Sequence, residues 1–209
     1  MVTKQSELIE ATLAHLYNDS KYDRIKAMKG FAKSVFRPMQ PANFKDVYLS
    51  ISKEQGEDLK RLIKKNNLKN IVEFGTSFGI STLFLALGVI ETKGRIITTE
   101  LIESKAEKAI ENFKKAGVND LIEVRIGDAL ETLKNHNAPI DLLFLDGWKD
   151  LYLPVFQMLE SNFHTNTFIY VDNADMAETQ AFLQTVSRND KYQLQTKFGG
   201  EVVLITIRK

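Results

Sequence analysis

Residues 71–81, Ile-Val-Glu-Phe-Gly-Thr-Ser-Phe-Gly-Ile-Ser, decide the fold of this chain. The apolar run that ends at Glu73 is typical of a strand covered on both faces, and a helix follows the turn that contains Gly75 and Gly79. Glycines let a backbone approach a ligand closely, and the first N–H groups of a helix are free to bind one. The spacing G-x-x-x-G differs from the G-x-G-x-x-G of dinucleotide sites, so the segment is either a cofactor loop or a β–α turn with glycines for packing.

Strands and helices alternate from residue 70 onward. Helical stretches separate five short runs that we predict as strands: Ile71–Phe74, Arg95–Thr99, Ile122–Ile126, Asp141–Leu145 and Thr167–Val171. Ser104 and Glu107 have capping-box spacing at the start of one helix, and Gly117 ends that helix. This alternation predicts a parallel sheet with helices on both faces.

The C-terminal end of the chain carries a different signal. Tyr192–Phe198 and Glu201–Arg208 are strand-like runs separated by Gly199-Gly200, which predicts a β-hairpin. We therefore predict a Rossmann-like α/β fold whose mostly parallel, seven-stranded sheet ends in an antiparallel hairpin. This layout resembles that of the class I methyltransferases.

Helices are also predicted before the first strand. Apolar spacing predicts helices over 5–17 and 22–36, and residues 37–43, Arg-Pro-Met-Gln-Pro-Ala-Asn, are typical of an exposed connection. A third helix runs from Ser52 to about Asn66, with Gln55 placed to complete a capping box. We divide the chain into N-terminal helices, residues 1–66, which pack on the core and are candidates to cover its binding site, and a cofactor-binding core, residues 67–209. Together they form one structural domain.

The composition excludes several kinds of site. No cysteine is present, which removes disulfides, thiolate catalysis and zinc–cysteine sites, and three widely separated histidines disfavour a histidine metal site or a Ser-His-Asp relay. With 28 Lys and Arg against 27 Asp and Glu, the net charge of +1 gives no electrostatic reason to expect a nucleic-acid or membrane partner. No apolar run has the length of a membrane helix and the N-terminus lacks an apolar signal core, so we expect a soluble cytoplasmic protein.

Suitable polar groups follow the second and third predicted strands. Glu100 ends the second, where a carboxylate can accept hydrogen bonds from both hydroxyls of a ribose; the alternative is a solvated glutamate at a helix start. Asp128, or the backbone of Ala129, follows the third and can reach an adenine amino group. Three strand ends in order, each with a suitable group, favour a nucleoside-containing cofactor.

A second group of polar residues follows the fourth and fifth predicted strands. Asp146 ends one run and Asp172-Asn173 ends the other, and neighbouring strands would bring the three together at the edge of the sheet where the glycine turn lies. Two carboxylates and an amide oxygen are hard ligands that suit Mg²⁺, which we expect here, or Mn²⁺ or Ca²⁺. The alternative is that both aspartates cap the helices that follow them.

These motifs resemble those of the metal-dependent O-methyltransferases of the catechol and caffeoyl-CoA type. The resemblance covers residues 47–209 and is strongest at Glu73-Phe-Gly-Thr-Ser-Phe-Gly-Ile-Ser81, at Asp146-Gly-Trp-Lys-Asp-Leu-Tyr-Leu-Pro154 and at Asp172-Asn173. It implies that the cofactor is S-adenosylmethionine and that the residues after the fourth and fifth strands hold a divalent cation.

The resemblance also implies individual roles. Lys149 takes the proton of a phenolic hydroxyl, Trp148 packs near the adenine, Ser81 touches the methionine carboxylate and Glu100 holds the ribose. For Lys149 the alternative is a solvated surface lysine, and for Trp148 a core aromatic. The candidate cofactor contacts are Glu73, Gly75, Thr76, Ser77, Gly79, Ser81, Glu100, Asp128, Ala129, Asp146 and Trp148, and the candidate metal ligands are Asp146, Asp172 and Asn173.

The residue types suit the implied chemistry. A neutral phenol is a poor nucleophile toward a sulfonium methyl group. A divalent cation lowers the pKa of a bound hydroxyl and fixes its position, and a nearby lysine can accept the proton. The methyl group passes in line from sulfur to oxygen, so alignment supplies a large part of the rate gain.

Two features depart from the catechol-type pattern. Gly147 stands where those enzymes have a histidine, and residues 174–177 lead almost directly into a helix predicted over Glu178–Arg188, where they have a longer substrate-covering loop. Three arrangements stay open for the acceptor pocket: it is open, it is closed by the N-terminal helices and residues 37–43, or it is closed by the second subunit of a homodimer.

The leading hypothesis is therefore a metal-dependent O-methyltransferase that acts on a small hydroxylated aromatic molecule. Alternatives are a metal-independent methyltransferase of the same fold, an S-adenosylmethionine-binding protein without turnover, and a nicotinamide-dependent oxidoreductase. The missing G-x-G-x-x-G and the terminal hairpin count against the last of these. The neutral charge and the lack of a basic cluster disfavour RNA as the acceptor.

Overall fold

A seven-stranded sheet forms the centre of the part of the chain that the computed structural model describes, residues 4–33 and 50–208. The strands are β1 (Asn70–Phe74), β2 (Arg95–Glu100), β3 (Ile122–Ile126), β4 (Ile140–Leu145), β5 (Phe163–Val171), β6 (Tyr192–Lys197) and β7 (Val202–Ile207). Their order is β3-β2-β1-β4-β5-β7-β6, with β1 to β5 parallel and β7 antiparallel to both of its neighbours. The predicted fold class and the terminal hairpin are confirmed, and β5 begins at Phe163 rather than at Thr167.

Helices cover both faces of the sheet. Within the described residues they are α1 (Lys4–Lys33), α2 (Lys53–Asn66), α3 (Ile80–Thr92), α4 (Glu103–Lys115), α5 (Ala129–Thr132), α6 (Tyr152–Leu159) and α7 (Ala177–Ser187). One apolar cluster joins α1 to α4 with one face of the sheet through residues such as Ile9, Ile63 and Phe113, and a second joins α5 to α7 with the other face through residues such as Phe156 and Phe182. Helix α3 is buried almost all round because it lies between α2 and the sheet.

The direction of the strands determines where a site can form. Because β1 to β5 are parallel, their carboxyl ends meet at one edge of the sheet, and ligands of open α/β sheets bind beyond this edge. In the sheet, β4 lies between β1 and β5. The glycine turn after β1 and the polar residues after β4 and β5 are therefore neighbours.

The prediction of two separate N-terminal helices is wrong for the described part of the chain. A single helix, α1, runs from Lys4 to Lys33, and its residues Ile9, Leu13 and Leu16 are buried in the first apolar cluster. Residues 18–21, Asn-Asp-Ser-Lys, contain neither proline nor glycine, so they lack a strong helix breaker at the predicted gap. The last residues of the predicted second helix and the connection over 37–43 lie outside the described residues.

One predicted capping box forms and the other does not. At α2 the Ser52 hydroxyl accepts from the Gln55 N–H at 3.1 Å, and the Gln55 side-chain oxygen accepts from the Ser52 N–H at 2.7 Å. Helix α4 starts two residues earlier than the Ser104 box requires, and its N-cap is Ile102. The C-terminal prediction for α4 is correct, since Gly117 has a φ of 68° and follows the last turn.

No helix among the described residues combines the length and the apolar character needed to cross a membrane.

Candidate active site

An open cleft with a cavity volume of about 190 Å³ lies beyond the carboxyl ends of β1, β2 and β3. Its lining residues are Phe74, Gly75, Ser77, Thr99, Glu100, Leu101, Ile102, Lys105, Gly127, Asp128, Ala129, Gly147, Trp148 and Leu151. The cleft therefore contains six of the predicted cofactor contacts.

A second, smaller hollow continues from the cleft toward β4. The hollow is shallow and is lined by Ser50, Gly75, Thr76, Ser77, Phe78, Ile80, Ser81 and Asp146. The hydroxyl of Ser77 is buried there and lacks a hydrogen-bond partner among the described residues. Because a buried hydroxyl normally has a partner, this one is available to a ligand in the hollow.

The turn after β1 brings its backbone close to Asp146. Gly75 has a φ of 104°, and a Cβ atom at this position would lie 2.5 Å from the carbonyl oxygen of Asp146. The Asp146 N–H donates to the Phe74 carbonyl at 2.9 Å. A side chain at Gly75 would be both strained and obstructed, so this glycine serves a close approach. Gly79 instead serves packing, because a Cβ there would meet the ring of Phe113.

Glu100 is a structural part of the cleft wall. One of its carboxylate oxygens accepts from the Ser77 N–H at 2.8 Å and the other from the Ile102 N–H at 2.9 Å. These bonds hold the glycine turn against the end of β2 and explain why α4 begins after Ile102. Glu100 therefore also serves the start of α4, as its alternative role predicted, and each oxygen retains acceptor capacity for a ribose hydroxyl.

Glu73 lies behind the cleft wall rather than on it. The carboxylate is fully buried and accepts three hydroxyl hydrogen bonds, from Ser81, Thr82 and Thr98, each at 2.6 Å. Burial raises the pKa of Glu73, and the three hydroxyl donors oppose that shift. Because Thr98 donates to Glu73, the hydroxyl of Thr76, 2.5 Å from that of Thr98, is left to donate to it.

The residues after β3 line the far end of the cleft. Asp128 uses one carboxylate oxygen to cap α5, accepting from the Leu130 N–H at 2.9 Å, and Ala129 is the first residue of that helix. Trp148 is half-buried: it lines the cleft and packs on the second apolar cluster. Trp148 therefore contacts both the apolar core and the cleft.

The two acidic strand ends meet. Asp146 and Asp172 are hydrogen-bonded to each other, and burial raises the pKa of both carboxyls, that of Asp172 to about 8. The charge of Asp146 raises the pKa of Asp172 further, and Lys149 opposes the shift in both. Neither aspartate is the N-cap of a helix, since Leu151 precedes α6 and Met176 precedes α7. The helix-cap alternative is wrong.

Lys149 belongs to this acidic pair. Its ammonium group lies 3.4 Å from the Asp146 carboxylate and 5.2 Å from the centre of the Tyr152 ring, and its side chain is 15% exposed. The alternative of a solvated surface lysine is therefore wrong. A buried amine beside two carboxylates can exchange a proton with a group bound between them.

Asn173 follows Asp172 in a left-handed conformation, with a φ of 52°. Its carbonyl accepts from the Met176 N–H at 3.1 Å, which closes the short turn before α7. Among the described residues there is no group of three or more His, Cys, Asp or Glu side chains that could hold a metal ion. The predicted metal ligands at this edge, Asp146, Asp172 and Asn173, thus stay a prediction.

Two residues at this edge were not predicted as site residues. Gln55 of α2 donates its side-chain N–H to the Asp172 carboxylate at 3.2 Å, although the sequence indicated only its role in the capping box. Lys105 of α4 is 4% exposed, lines the cleft and lies 5.3 Å from the centre of the Phe78 ring. No sequence motif marks either residue as part of the site, because each one reaches the site through tertiary packing.

The two departures from the catechol-type pattern have physical explanations. At Gly147 a Cβ atom would lie 2.5 Å from the Phe74 ring, so this ring occupies the space that a side chain would need. After β5, only residues 172–176 precede α7, so the connection is short, as predicted. The Ala174 N–H in this turn donates to the carbonyl of Glu201 at 2.8 Å, which ties the turn to the terminal hairpin.

Known proteins resemble this chain both in sequence and in structure. A family model described as O-methyltransferase matches residues 35–193. A catechol O-methyltransferase from Mycobacterium tuberculosis is 35% identical over 126 residues, which cover 60% of this chain and 57% of that protein. A catechol O-methyltransferase from Niastella koreensis is 33% identical over 129 residues, which cover 60% of this chain and 58% of that protein. The chain thus spans less than two thirds of the length of these relatives.

Solved structures share the fold. A cofactor-bound protein from MTB superposes with a TM-score of 0.70 and 26% identity, covering 87% of this chain and 96% of that one. An O-methyltransferase from Bacillus cereus in complex with SAH gives a TM-score of 0.69 at 23% identity, covering 87% and 97%. The family match covers most of the sequence, including the turn after β1 and the residues after β4 and β5. The chain belongs to the O-methyltransferase family.

Proposed function

We propose that this protein is an S-adenosylmethionine-dependent O-methyltransferase that methylates a hydroxyl group of a small aromatic acceptor with the help of a divalent cation. The observation that carries the proposal is the buried pair of Asp146 and Asp172, with Lys149 beside it, next to a cleft suited to a nucleoside. The catechol O-methyltransferases among the relatives support the acceptor class.

The cleft and the smaller hollow fit the two ends of the cofactor. Glu100 offers acceptors for ribose hydroxyls, while Ala129 and Trp148 border the space for the adenine. The free hydroxyl of Ser77 and the side chain of Ser81 line the hollow where the methionine part would lie. Asp146 borders the same hollow, so a methyl donor bound there would point toward the acidic pair.

The acidic pair fits a divalent cation. Asp146 and Asp172 supply two buried carboxylates, Asn173 supplies an amide oxygen, and all are hard ligands with room for water or acceptor oxygens in the shell. Burial raises the pKa of both carboxyls, and the charge of Asp146 raises that of Asp172 further. A cation bound there would offset this negative charge and would lower the pKa of an acceptor hydroxyl.

Lys149 is the proposed base. Its ammonium is anchored by Asp146 and by the Tyr152 ring, which fixes it beside the place where the acceptor hydroxyl would bind. As a neutral amine it accepts the hydroxyl proton, and the chain holds donor and acceptor in line for methyl transfer. The proposed role of the other residues that line the cleft and the hollow is to orient both substrates and to exclude water.

The test is methyl transfer with controlled metal content. Purified protein is incubated with S-adenosylmethionine and with catechol or caffeoyl-CoA, first with Mg²⁺, then with excess chelator, then with Mg²⁺ restored. We expect methylated product with Mg²⁺, no product in excess chelator, and product again when Mg²⁺ is restored. The Asp172→Asn variant should fail at every step, whereas Asp190→Asn, an exposed aspartate in the loop before β6, should behave like the wild type.

A metal-independent methyltransferase is the second candidate. The observation in its favour is that Asp146 and Asp172 already have partners in the chain, Lys149 and Gln55. Turnover that persists in chelator would support it and would contradict the role of the cation. Binding of S-adenosylmethionine without product from any hydroxylated acceptor would instead indicate a protein without turnover. A homodimer stays a prediction, which sedimentation of the purified protein would test.

A further inference from the structure

The first turn of α2 reaches the end of β5. Gln55, in that turn, is 5% exposed, and its side-chain amide makes two hydrogen bonds in opposite directions. Its oxygen accepts from the Ser52 N–H at 2.7 Å, and its nitrogen donates to Oδ1 of Asp172 at 3.2 Å. Because both ends of the amide are engaged, its orientation is fixed relative to the backbone of the helix.

A second contact holds the same two elements together. Asp58, one helical turn after Gln55, accepts from the Tyr170 hydroxyl at 3.3 Å and pairs with Lys197 at the end of β6. Tyr170 lies in β5 and Asp172 directly follows this strand, two residues later, so the two side chains lie on the same side of the sheet. Two residues one turn apart on α2 are thus hydrogen-bonded to two residues at the carboxyl end of β5.

We propose that Gln55 is a positioning residue for the divalent cation: it holds the Asp172 carboxylate in the orientation that the cation requires. This inference rests on the proposed function, since it assumes a cation between Asp146 and Asp172. A carboxylate has about four acceptor positions. In Asp172, Gln55 uses one, the Asn173 backbone another and the hydrogen bond with Asp146 a third, which a cation bound between the two carboxylates would replace. The amide is neutral, so it restrains the carboxylate without adding a positive charge that would repel the cation.

Outer hydrogen bonds to metal-ligating carboxylates orient them, and their removal typically lowers metal affinity by about 10- to 100-fold. We expect a loss in this range for Gln55→Leu, which has similar volume and no amide. The affinity for S-adenosylmethionine should stay within about twofold of the wild type, because no residue of α2 lines the cleft or the smaller hollow.

The experiment separates positioning from capping. Gln55→Leu removes both the cap bond and the bond to Asp172, so Ser52→Ala is the matched control: it removes the other bond of the capping box and leaves the Gln55 side chain in place. Binding of Mg²⁺ and of Mn²⁺ is measured by calorimetry at saturating S-adenosylmethionine, and the urea midpoint is measured for each variant. If Gln55→Leu does not fold, Gln55→Asn takes its place, since its amide is one methylene too short to reach Asp172.

The result that supports the inference is weakened metal binding in the Gln55 variant, near wild-type metal binding in Ser52→Ala, and similar loss of stability in both. Equal metal affinity in the wild type and the Gln55 variant would overturn it. An equal drop in both variants would also overturn it, because the effect would then come from the helix cap. Absence of metal binding by the wild type would instead reject the proposed cation, and the inference with it.

Discussion

Asp146 and Asp172 face each other at the ends of neighbouring strands, and burial raises the pKa of both carboxyls. A carboxyl whose pKa is higher in the folded than in the unfolded state favours folding while it is protonated. This contribution is present below the unfolded pKa and is lost as the pH rises through the folded value, which for Asp172 is about 8. In the metal-free protein the pair is therefore expected to oppose folding in alkaline solution.

Asp172→Asn should stabilise the metal-free protein and abolish its activity. The amide keeps a donor for Asp146 and an acceptor for Gln55 while it removes one buried negative charge. We expect a gain on the order of 1–3 kcal/mol in the free energy of unfolding at pH 9, which shrinks toward pH 5. Urea unfolding of both proteins at the two pH values measures it. An equal or lower stability of the variant at pH 9 would show that the pair carries no excess charge.

Metal affinity should depend on pH in the same range. A proton shared by the two carboxylates competes with the cation, so the apparent affinity for Mg²⁺ should rise with pH and level off above about 8. Calorimetric titrations between pH 6 and pH 9 at constant ionic strength provide the measurement. A flat profile would contradict proton release from the pair.

Lys149→Ala should lower kcat by about 10²- to 10⁴-fold, the usual contribution of a general base. The affinity for S-adenosylmethionine should hardly change, because the ammonium group contacts Asp146 and Tyr152 and does not line the cleft. Lys108→Ala, on the exposed side of α4, is the control. Normal turnover of the Lys149 variant would remove this lysine as the base.

At the scale of the elements, the amino-terminal edge of the sheet has its own polar contact. One oxygen of Asp141, at the start of β4, accepts from the N–H groups of Lys69 and Asn70 at 2.7 and 2.8 Å, and the other lies 2.9 Å from Nε2 of His164. This carboxylate thereby joins β1, β4 and β5. It lies at the opposite ends of these strands from the cleft, so its role is to align the central strands.

Asp141→Asn should therefore destabilise the fold by about 1–3 kcal/mol, because an amide cannot accept all three of these hydrogen bonds. Its affinity for S-adenosylmethionine, measured well below the unfolding midpoint, should match the wild type. Asp120→Asn, an exposed aspartate before β3, provides the reference for a neutral charge change. An unchanged urea midpoint in Asp141→Asn would show that the strand ends are aligned by packing alone.

Most elements were predictable because their signal is local. The β-strands were found from short apolar runs, and the box at Ser52 and Gln55 from the spacing of two residues. Features that depend on distant contacts were not: the Gln55–Asp172 bond joins residues 117 positions apart. The box predicted at Ser104 fails for a local reason instead: Glu100, only two residues before Ile102, binds the Ile102 N–H, and the helix starts earlier.

At the scale of the whole molecule, the cofactor turn and the acidic pair form one unit. Gly75 packs on the Asp146 backbone, Asp146 binds Phe74, and Asp172 N–H donates to the Leu145 carbonyl at 3.0 Å. The strand ends that would hold the methyl donor and the cation are therefore linked through backbone contacts. That the two sites adjoin was predictable from the strand order, but the close approach at Gly75 was not.

Ligand-dependent stability should reveal this linkage. At a concentration of S-adenosylmethionine 100 times its Kd, the wild type should gain about 2.7 kcal/mol. Gly75→Ala should lose most of this gain, because a methyl group there would lie 2.5 Å from the Asp146 carbonyl oxygen. Gly199→Ala has the same left-handed strain, at a φ of 65°, but nothing within 4 Å, so its gain should be retained. Thermal unfolding with and without cofactor distinguishes the two, and equal gains would contradict a rigid connection.

The tie between Ala174 and Glu201 has a consequence for protein engineering. Residues inserted into the turn after β5 would have to release the Ala174 N–H from its carbonyl partner, and so would disturb the neighbouring Asp172 and Asn173. The tip of the terminal hairpin is different, because a Cβ atom at Gly199 or Gly200 would meet nothing within 4 Å. A grafted segment that is intended to cover the acceptor site is therefore better inserted between these two glycines than after β5, provided that the Glu201 carbonyl keeps its bond to the Ala174 N–H.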